Sequence, residues 1–280
     1  MIDIAKARDL LDHTVAPVVA ALVELDPDMP DVMVVGAICR DALHTAAGRD
    51  PTLLRATDDL DLAVAVSGWG HFDTITGALE EAPGADTTIR YRIAGHHVDI
   101  VPFGEPVESP DGVVTPSRRA ADPMSVFGFQ DVWASAHRVQ LDGGPTVRVP
   151  TVAGYTLLKL KAWADRSAYG EYKDANDLAT AMSWYQEDQD VVDELFRTPE
   201  GNDLLIQTEF DVPEAAVLLL VSQARMLLTE ERRAALSKVW QDIEDDVLGE
   251  QLINPALQGW PRRGDDRLSA YARAIRTVLV

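Results

Sequence analysis

The chain has 280 residues, of which 46% are hydrophobic and 25% charged, and its 46 acidic and 25 basic side chains give a formal net charge of −21. This composition excludes a disordered chain, and no apolar run reaches the ~18 residues that a membrane-spanning helix requires. The negative charge repels polyphosphates at long range, which excludes a broad nucleic-acid-binding surface and requires any nucleotide partner to be held locally or through metal ions. The first residues show no secretory signal, and the single cysteine, Cys39, excludes an internal disulfide, so we expect a cytoplasmic protein without a membrane partner.

Residues 1 to 150 alternate between helical and strand patterns, which predicts a mixed sheet covered by helices. In chain order, the pattern predicts a helix over 3–24, a strand over 31–35, a helix over 37–45, a strand over 59–66, a helix over 70–82, strands over 87–93 and 96–103 joined by a tight hairpin at Ala94-Gly95, an irregular loop over 104–125, and a second hairpin with strands over 138–141 and 146–149.

The pattern is almost wholly helical from residue 151 onward. The predicted helices are 151–166, 173–187, 190–197, 201–209, 213–228, 230–247 and 266–279. The change of pattern predicts two domains, a mixed domain over 1–150 and a helical domain over 151–280.

Two aspartates begin the predicted strand 59–66. Because side chains alternate between the faces of a strand, Asp59 and Asp61 share one face. An isolated Asp-x-Asp often marks only a solvent-facing strand. Two like charges side by side also suit a divalent cation, and carboxylate oxygens are the ligands that Mg²⁺ or Mn²⁺ prefer.

A third carboxylate belongs to a strand that can lie beside the first. Asp99 stands among apolar neighbours in the strand 96–103, and with Asp59 and Asp61 it would complete the minimum set for a two-metal phosphoryl-transfer centre. His97 shares the face of Asp99 by alternation. It is the weaker candidate ligand, because histidines are common at strand edges and this class of metal prefers oxygen.

A strand, a glycine and a helix meet at Gly36-Ala37. Backbone N–H groups at a helix start can hold a triphosphate, and a glycine lets the phosphates approach closely. Such corners are common, so this signal gains value only from its context.

Charged side chains also face inward in the helical half. A helical wheel places Lys159 on the apolar side of its helix, Lys161 on the opposite, solvated side, and Asp174 and Asp177 on the apolar side of the next helix. One interpretation is an ion-pair network in which Lys159 and Arg166 pair with the two aspartates. The other is a contact between Lys159 and a substrate phosphate, and the two are compatible.

Taken together and in order, these motifs resemble the AbiEii/AbiGii-type nucleotidyltransferases. These proteins are toxin components of abortive-infection and toxin–antitoxin systems and belong to the polymerase-beta-like superfamily. The resemblance covers residues 34–178, and it is carried by Gly36-Ala37, Arg55 to Asp61, Val98 to Val101, Lys159 to Trp163, Arg166, Lys173-Asp174 and Asp177-Leu178.

The resemblance implies an α+β fold, in which a nucleotidyltransferase-type mixed sheet with flanking helices forms the catalytic domain and an α-helical C-terminal domain follows. It implies transfer of a nucleoside monophosphate from an NTP, with Mg²⁺ or Mn²⁺ as cofactor. By residue, it places Gly36 at the triphosphate, Asp59 and Asp61 at the metal, and Lys159 and Asp174 on the helical side of a catalytic cleft. We add Ala37, Arg40 and Thr57 as candidate nucleotide-binding residues and Asp99 as a candidate third metal ligand and catalytic residue.

Two positions depart from the family pattern. Ala37 stands where the superfamily more often has glycine or serine, so a hydroxyl contact to phosphate is missing. Asp99 matches a position that many of these toxins do not use as a third carboxylate, although it is the residue we expect to help deprotonate the acceptor hydroxyl.

The resemblance implies an acceptor at the 3′ end of tRNA or on a protein, and an antitoxin protein as partner. The net charge permits only a local nucleic-acid contact, for which Arg118, Arg119, Arg262 and Arg263 are candidates. Two alternatives stay open. One is a small-molecule, antibiotic-type nucleotidyltransferase with a cationic acceptor, and the other is a catalytically silent fold that acts as a binding protein.

Overall fold

The computed structural model describes residues 2–29, 31–54, 59–82, 89–116 and 123–280. The chain forms two compact units, the first of residues Asp3–Thr151 and the second of Val152–Val280 together with Ile2. Within the described residues, none of the helices combines the length and the apolar character needed to cross a membrane.

The N-terminal segment is a series of short helices instead of the single predicted helix over 3–24. A 3₁₀ turn spans Ile4–Ala7, α1 spans Arg8–Thr14 and α2 spans Ala16–Leu25. Pro17 lies in the first turn of α2, where it has no N–H to donate to the turn before it. The helix therefore ends and restarts at this point.

Within its described residues, the rest of the first unit contains a 3₁₀ turn over Pro51–Leu53, nine strands and three further α-helices. The strands and α-helices are β1 Val32–Val35, α3 Gly36–Ala46, β2 Asp59–Ala65, α4 Trp69–Thr76, β3 Glu80–Glu81, β4 Arg90–Ile93, β5 His96–Phe103, β6 Val113–Val114, β7 Met124–Ser125, α5 Phe129–Ser135, β8 His137–Gln140 and β9 Thr146–Val149.

Seven of the strands form one mixed sheet in the order β3-β4-β5-β2-β1-β9-β8, which confirms the predicted mixed sheet. In its centre β2 pairs antiparallel with β1 and parallel with β5. Leu60, Leu62 and Val64 are buried along β2, as the alternation predicted. The sheet thus fixes which face the polar residues of β2 present.

Two further predictions in this unit were wrong in part, and one helix was missed. The predicted helix 70–82 ends at Thr76, and β3 then adds to the edge of the sheet beside β4. The loop 104–125 contains the antiparallel pair β6 and β7. Helix α5 was not predicted, because it has only seven residues and its place depends on packing such as that of Phe129 against Phe103.

Within its described residues, the second unit has only helical regular structure. Its helices are α6 Val152–Arg166, α7 Lys173–Glu187, α8 Gln189–Arg197, α9 Pro199–Gln207, α10 Val212–Met226, α11 Glu230–Gln241, α12 Asp245–Gln251 and α13 Asp266–Leu279. The predicted helix 230–247 is divided between α11 and α12, because the backbone of Glu244 is extended.

Candidate functional site

The carboxylates of β2 and β5 meet on one face of the sheet. In the parallel pairing of these strands Asp61 lies opposite Asp99, and Asp59 lies opposite His97. Partners in register point to the same face, so Asp59, Asp61 and Asp99 share one face of the sheet, and their joint binding of a metal stays a prediction. The side chain of Asp59 is 41% exposed and that of Asp99 is 13% exposed.

An arginine that the sequence analysis did not identify lies among these carboxylates. Arg90 on β4 is the antiparallel partner of Asp99. Its Nε and one terminal nitrogen donate to the two carboxylate oxygens of Asp99, each at 2.8 Å. The same terminal nitrogen lies 3.3 Å from Asp59 Oδ2. The hydrogen bond to Asp99 raises the pKa of Arg90, burial opposes this rise, and the charges of Asp99, Asp59 and Asp61 add to it.

The start of α3 is built around the side chain of Asp61. Gly36 has a φ of +63°, and a Cβ at this position would lie 1.9 Å from Asp61 Oδ2. Glycine is therefore required both by the backbone conformation and by the carboxylate that fills the space. Asp61 thus lies against the corner that the resemblance assigns to a triphosphate.

The donor set on this face fits one hard cation. Among the residues that the structure describes, no group of three His, Cys, Asp or Glu side chains is arranged to hold a metal ion. Mg²⁺ and Mn²⁺ need only one or two protein carboxylates, because water and phosphate oxygens fill the remaining positions. Asp59 and Asp61 provide such a pair. The side chain of Asp59 is accessible, and Gly36 leaves space for the Asp61 carboxylate at the start of α3.

The other residues assigned to the nucleotide lie along α3 or outside the described ranges. Ala37 is half-buried in the first turn of α3. Arg40 is 3% exposed, and its guanidinium donates to Asp41 Oδ1 at 2.8 and 2.7 Å. Thr57 falls outside the described residues, so its assignment stays a prediction.

The ion-pair network that the sequence predicted is present in the helical unit. Lys159 Nζ on α6 lies 3.0 Å from Asp174 Oδ1 and 2.6 Å from Asp177 Oδ2 on α7. Arg166 lies 3.0 Å from the other oxygen of Asp174, whose side chain is fully buried. These contacts join α6 to α7, and a contact between Lys159 and a phosphate stays a prediction.

Burial and neighbouring charges shift the pKa of Lys159 in opposite directions. Burial by itself lowers the pKa of the ammonium, but the charges of Asp177 and Asp174 and their hydrogen bonds outweigh it, so the pKa lies above its ordinary value. The ammonium also lies 5.5 Å from the centre of the Tyr155 ring. Lys159 is therefore held as a cation.

The prediction that Lys161 is solvated was wrong. Its side chain is 14% exposed, as little as that of Lys159, and its ammonium pairs with Asp165 one turn further along α6. The helical wheel identified the opposite sides of the helix, but tertiary packing also covers the polar side. Of the predicted local arginines, Arg262 and Arg263 are exposed, whereas Arg118 and Arg119 fall outside the described residues.

No protein-family model and no curated protein matches this chain. The resemblance to nucleotidyltransferases therefore rests on the sequence motifs alone.

Proposed function

We propose that this chain is a metal-dependent nucleotidyltransferase that moves a nucleoside monophosphate from an NTP to an acceptor hydroxyl. The observation that supports the proposal best is the arrangement on β2 and β5, where Asp61 lies in register with Asp99 and Asp59 shares their face. Gly36 adds a helix start that closely approaches Asp61. A sheet face with carboxylates beside a helix N-terminus suits the phosphates of a nucleotide once a cation is bound.

In the proposed reaction, the acceptor oxygen forms a bond to the α-phosphorus of the NTP. The bond between the α-phosphorus and the oxygen bridging to the β-phosphate breaks, and pyrophosphate leaves with that electron pair. When bound, a divalent cation supplies charge neutralisation at the phosphates. Asp59 and Asp61 would hold it and so orient the nucleotide, and backbone N–H groups at the start of α3 would be available to the phosphates.

The acceptor hydroxyl also loses a proton. Asp99 was the residue expected to assist, but both of its oxygens accept hydrogen bonds from Arg90. Asp99 must give up one of these bonds before it can accept a proton from the acceptor. We therefore assign it a secondary part in proton removal, which leaves solvent as the final proton acceptor.

The resemblance supplies the proposed acceptor and biological role. We propose that the acceptor is the 3′ end of tRNA or a protein hydroxyl and that the protein is the toxin of a toxin–antitoxin or phage-defence system. The net charge of −21 agrees with an acceptor recognised at a small surface, because a long polyanion would be repelled.

Transfer of label from each α-labelled NTP tests the proposal. The protein is incubated with Mg²⁺ and total tRNA, cell-lysate protein, a cationic aminoglycoside or no acceptor. We expect label on tRNA or protein, and its loss in Asp59→Asn and in Asp61→Asn. Asp142→Asn is the matched control, because Asp142 lies in the same unit with 77% of its side chain exposed.

Each outcome of this experiment has a defined meaning. Label on tRNA alone, or on protein alone, fixes the acceptor class, and label on the aminoglycoside alone supports the small-molecule alternative. If the native protein labels nothing, or labels an acceptor equally well after Asp59→Asn, the proposed function is wrong.

A further inference from the structure

Arg90 makes two unequal contacts on the acidic face of the sheet. Its contact with Asp99 consists of two hydrogen bonds of 2.8 Å, one to each carboxylate oxygen. Its contact with Asp59 is a single approach of 3.3 Å. Paired, charge-assisted bonds of the first kind are the stronger and more directional ones, so Arg90 binds Asp99 tightly and Asp59 loosely.

The burial of the two carboxylates follows the same order. The side chain of Asp99 is 13% exposed, whereas that of Asp59 is 41% exposed. Water screens and competes for the Asp59 contact more than for the Asp99 contact. A cation that arrives from solvent therefore displaces Arg90 from Asp59 far more easily than from Asp99.

We infer that Arg90 is a positioning residue that keeps Asp99 out of metal coordination, so that this face takes one divalent cation on Asp59 and Asp61. A centre for two cations needs a third carboxylate, and both oxygens of Asp99 are engaged by Arg90. Because a guanidinium stays charged at all ordinary pH values, its competition with the cation persists across the working pH range.

This inference rests on the proposed function, and it differs from two other roles that Arg90 can have. If Arg90 oriented Asp99 as a metal ligand, its removal would weaken cation binding. If the pair only joined β4 to β5, its removal would leave cation binding unchanged. Our inference requires that removal of Arg90 strengthens cation binding, because Asp59 then has one competitor fewer and Asp99 loses its arginine partner.

Titration of the full, metal-free chain with Mn²⁺ alone measures this change in cation affinity. Free Mn²⁺ is followed by electron paramagnetic resonance without nucleotide, so the readout does not depend on activity. We expect one Mn²⁺ per native chain, and in Arg90→Gln an affinity raised about ten-fold, with a second Mn²⁺ at higher concentration. Arg92→Gln is the matched control, because exposed Arg92 lies two residues further along β4 and carries the same charge.

An affinity in Arg90→Gln that is equal to or lower than that of Arg92→Gln overturns the inference, and so do two Mn²⁺ ions per native chain. If Arg90→Gln loses its circular dichroism spectrum, Arg90→Lys replaces it. Lysine keeps the charge but cannot make the paired bonds, so we expect a smaller rise in affinity, and no rise is contrary to the inference. Label transfer that depends on Asp59, combined with unchanged Mn²⁺ affinity in Arg90→Gln, would leave the proposed function standing and reject the role of Arg90.

Discussion

The two clusters of charged side chains differ in exposure and in how their charges are shared. On the sheet, Arg90 divides its guanidinium between Asp99 and Asp59, and the side chain of Asp59 is 41% exposed. In the helical unit, each oxygen of Asp174 meets its own cation, Lys159 or Arg166, and Asp174 is fully buried.

This difference separates a cluster that holds helices together from one that can accept a ligand. A buried charge is stable only when its partners are in place, so the Asp174 cluster stays closed. An exposed carboxylate that shares its cation loses little when the cation moves, so we propose that Asp59 exchanges Arg90 for a metal ion. Lys159, the inward-facing cation of the sequence, is paired with two aspartates of this cluster.

The largest expected effect on stability comes from removing the charge of Asp174 in the helical cluster. Asp174→Asn keeps the shape of the side chain but leaves Lys159 and Arg166 without this negative charge, so we expect the free energy of unfolding to fall by roughly 3 to 5 kcal/mol. Asp193→Asn is the control, because Asp193 pairs with Arg197 on the surface of α8. That change is expected to cost about 0.5 kcal/mol or less in the same urea titration. Equal losses in the two variants would show that the buried cluster does not stabilise the helical unit.

The two units also respond to opposite ends of the pH scale. In the first unit, burial, aided by Arg49 and Arg40, lowers the pKa of His44 to about 4. Between the ordinary histidine value of about 6.5 and this value, the unfolded chain binds a proton and the folded chain does not, so stability falls as the pH is lowered. In the second unit the raised pKa of Lys159 gives stabilisation that is present below the ordinary lysine value and is lost as the pH rises past the folded pKa.

His44→Gln tests whether His44 causes the loss of stability at low pH. Urea unfolding of the native protein is expected to lose up to roughly 3 kcal/mol between pH 6.5 and pH 4 through His44, and the variant is expected to lose that much less. The variant is expected to keep a smaller dependence of unfolding free energy on pH through His137, because burial lowers the pKa of that residue as well. His13→Gln serves as the control because His13 is exposed, and it should keep the native slope. A slope that survives His44→Gln intact would assign the acid sensitivity to other groups.

Much of the sheet and of its acidic face follows from local pattern. The alternation along 59–66 predicted the shared face of Asp59 and Asp61, and the apolar strand after the Ala94-Gly95 hairpin predicted the neighbour that carries Asp99. Both signals are strong, because a strand that is buried on one face cannot shift by one residue without exposing its apolar side chains.

Arg90 was missed although the sequence contained its signal. A two-residue turn at Ala94-Gly95 pairs Ile93 with His96, and counting back along the two strands places Arg90 opposite Asp99. By contrast, the cover over Lys161 and the packing of α5 depend on segments distant in the chain. Neither follows from periodicity, which describes one element at a time.

The smallest expected effect on stability comes from two glycines with similar backbone conformations. They differ in whether an added Cβ would meet Asp61, so the pair tests the part of Asp61 in the sheet cluster. Gly36 and Gly48 have φ values of +63° and +75°, but a Cβ at Gly48 meets nothing within 4 Å, whereas a Cβ at Gly36 meets Asp61. Alanine at either position is expected to cost about 1 to 2 kcal/mol through the left-handed backbone, measured by urea unfolding.

Only Gly36→Ala should also lower Mn²⁺ affinity and label transfer. A Cβ at Gly36 would lie 1.9 Å from Oδ2, 2.7 Å from Cγ and 3.0 Å from Cβ of Asp61. We expect the Asp61 carboxylate to rotate away and the start of α3 to adjust, so that the protein stays folded but the cation loses a ligand. Gly48→Ala carries the same backbone strain and is expected to bind Mn²⁺ as the native chain does. If both variants bind Mn²⁺ equally well, Asp61 does not hold the cation, and the exposed cluster on the sheet would be as purely structural as the buried cluster around Asp174.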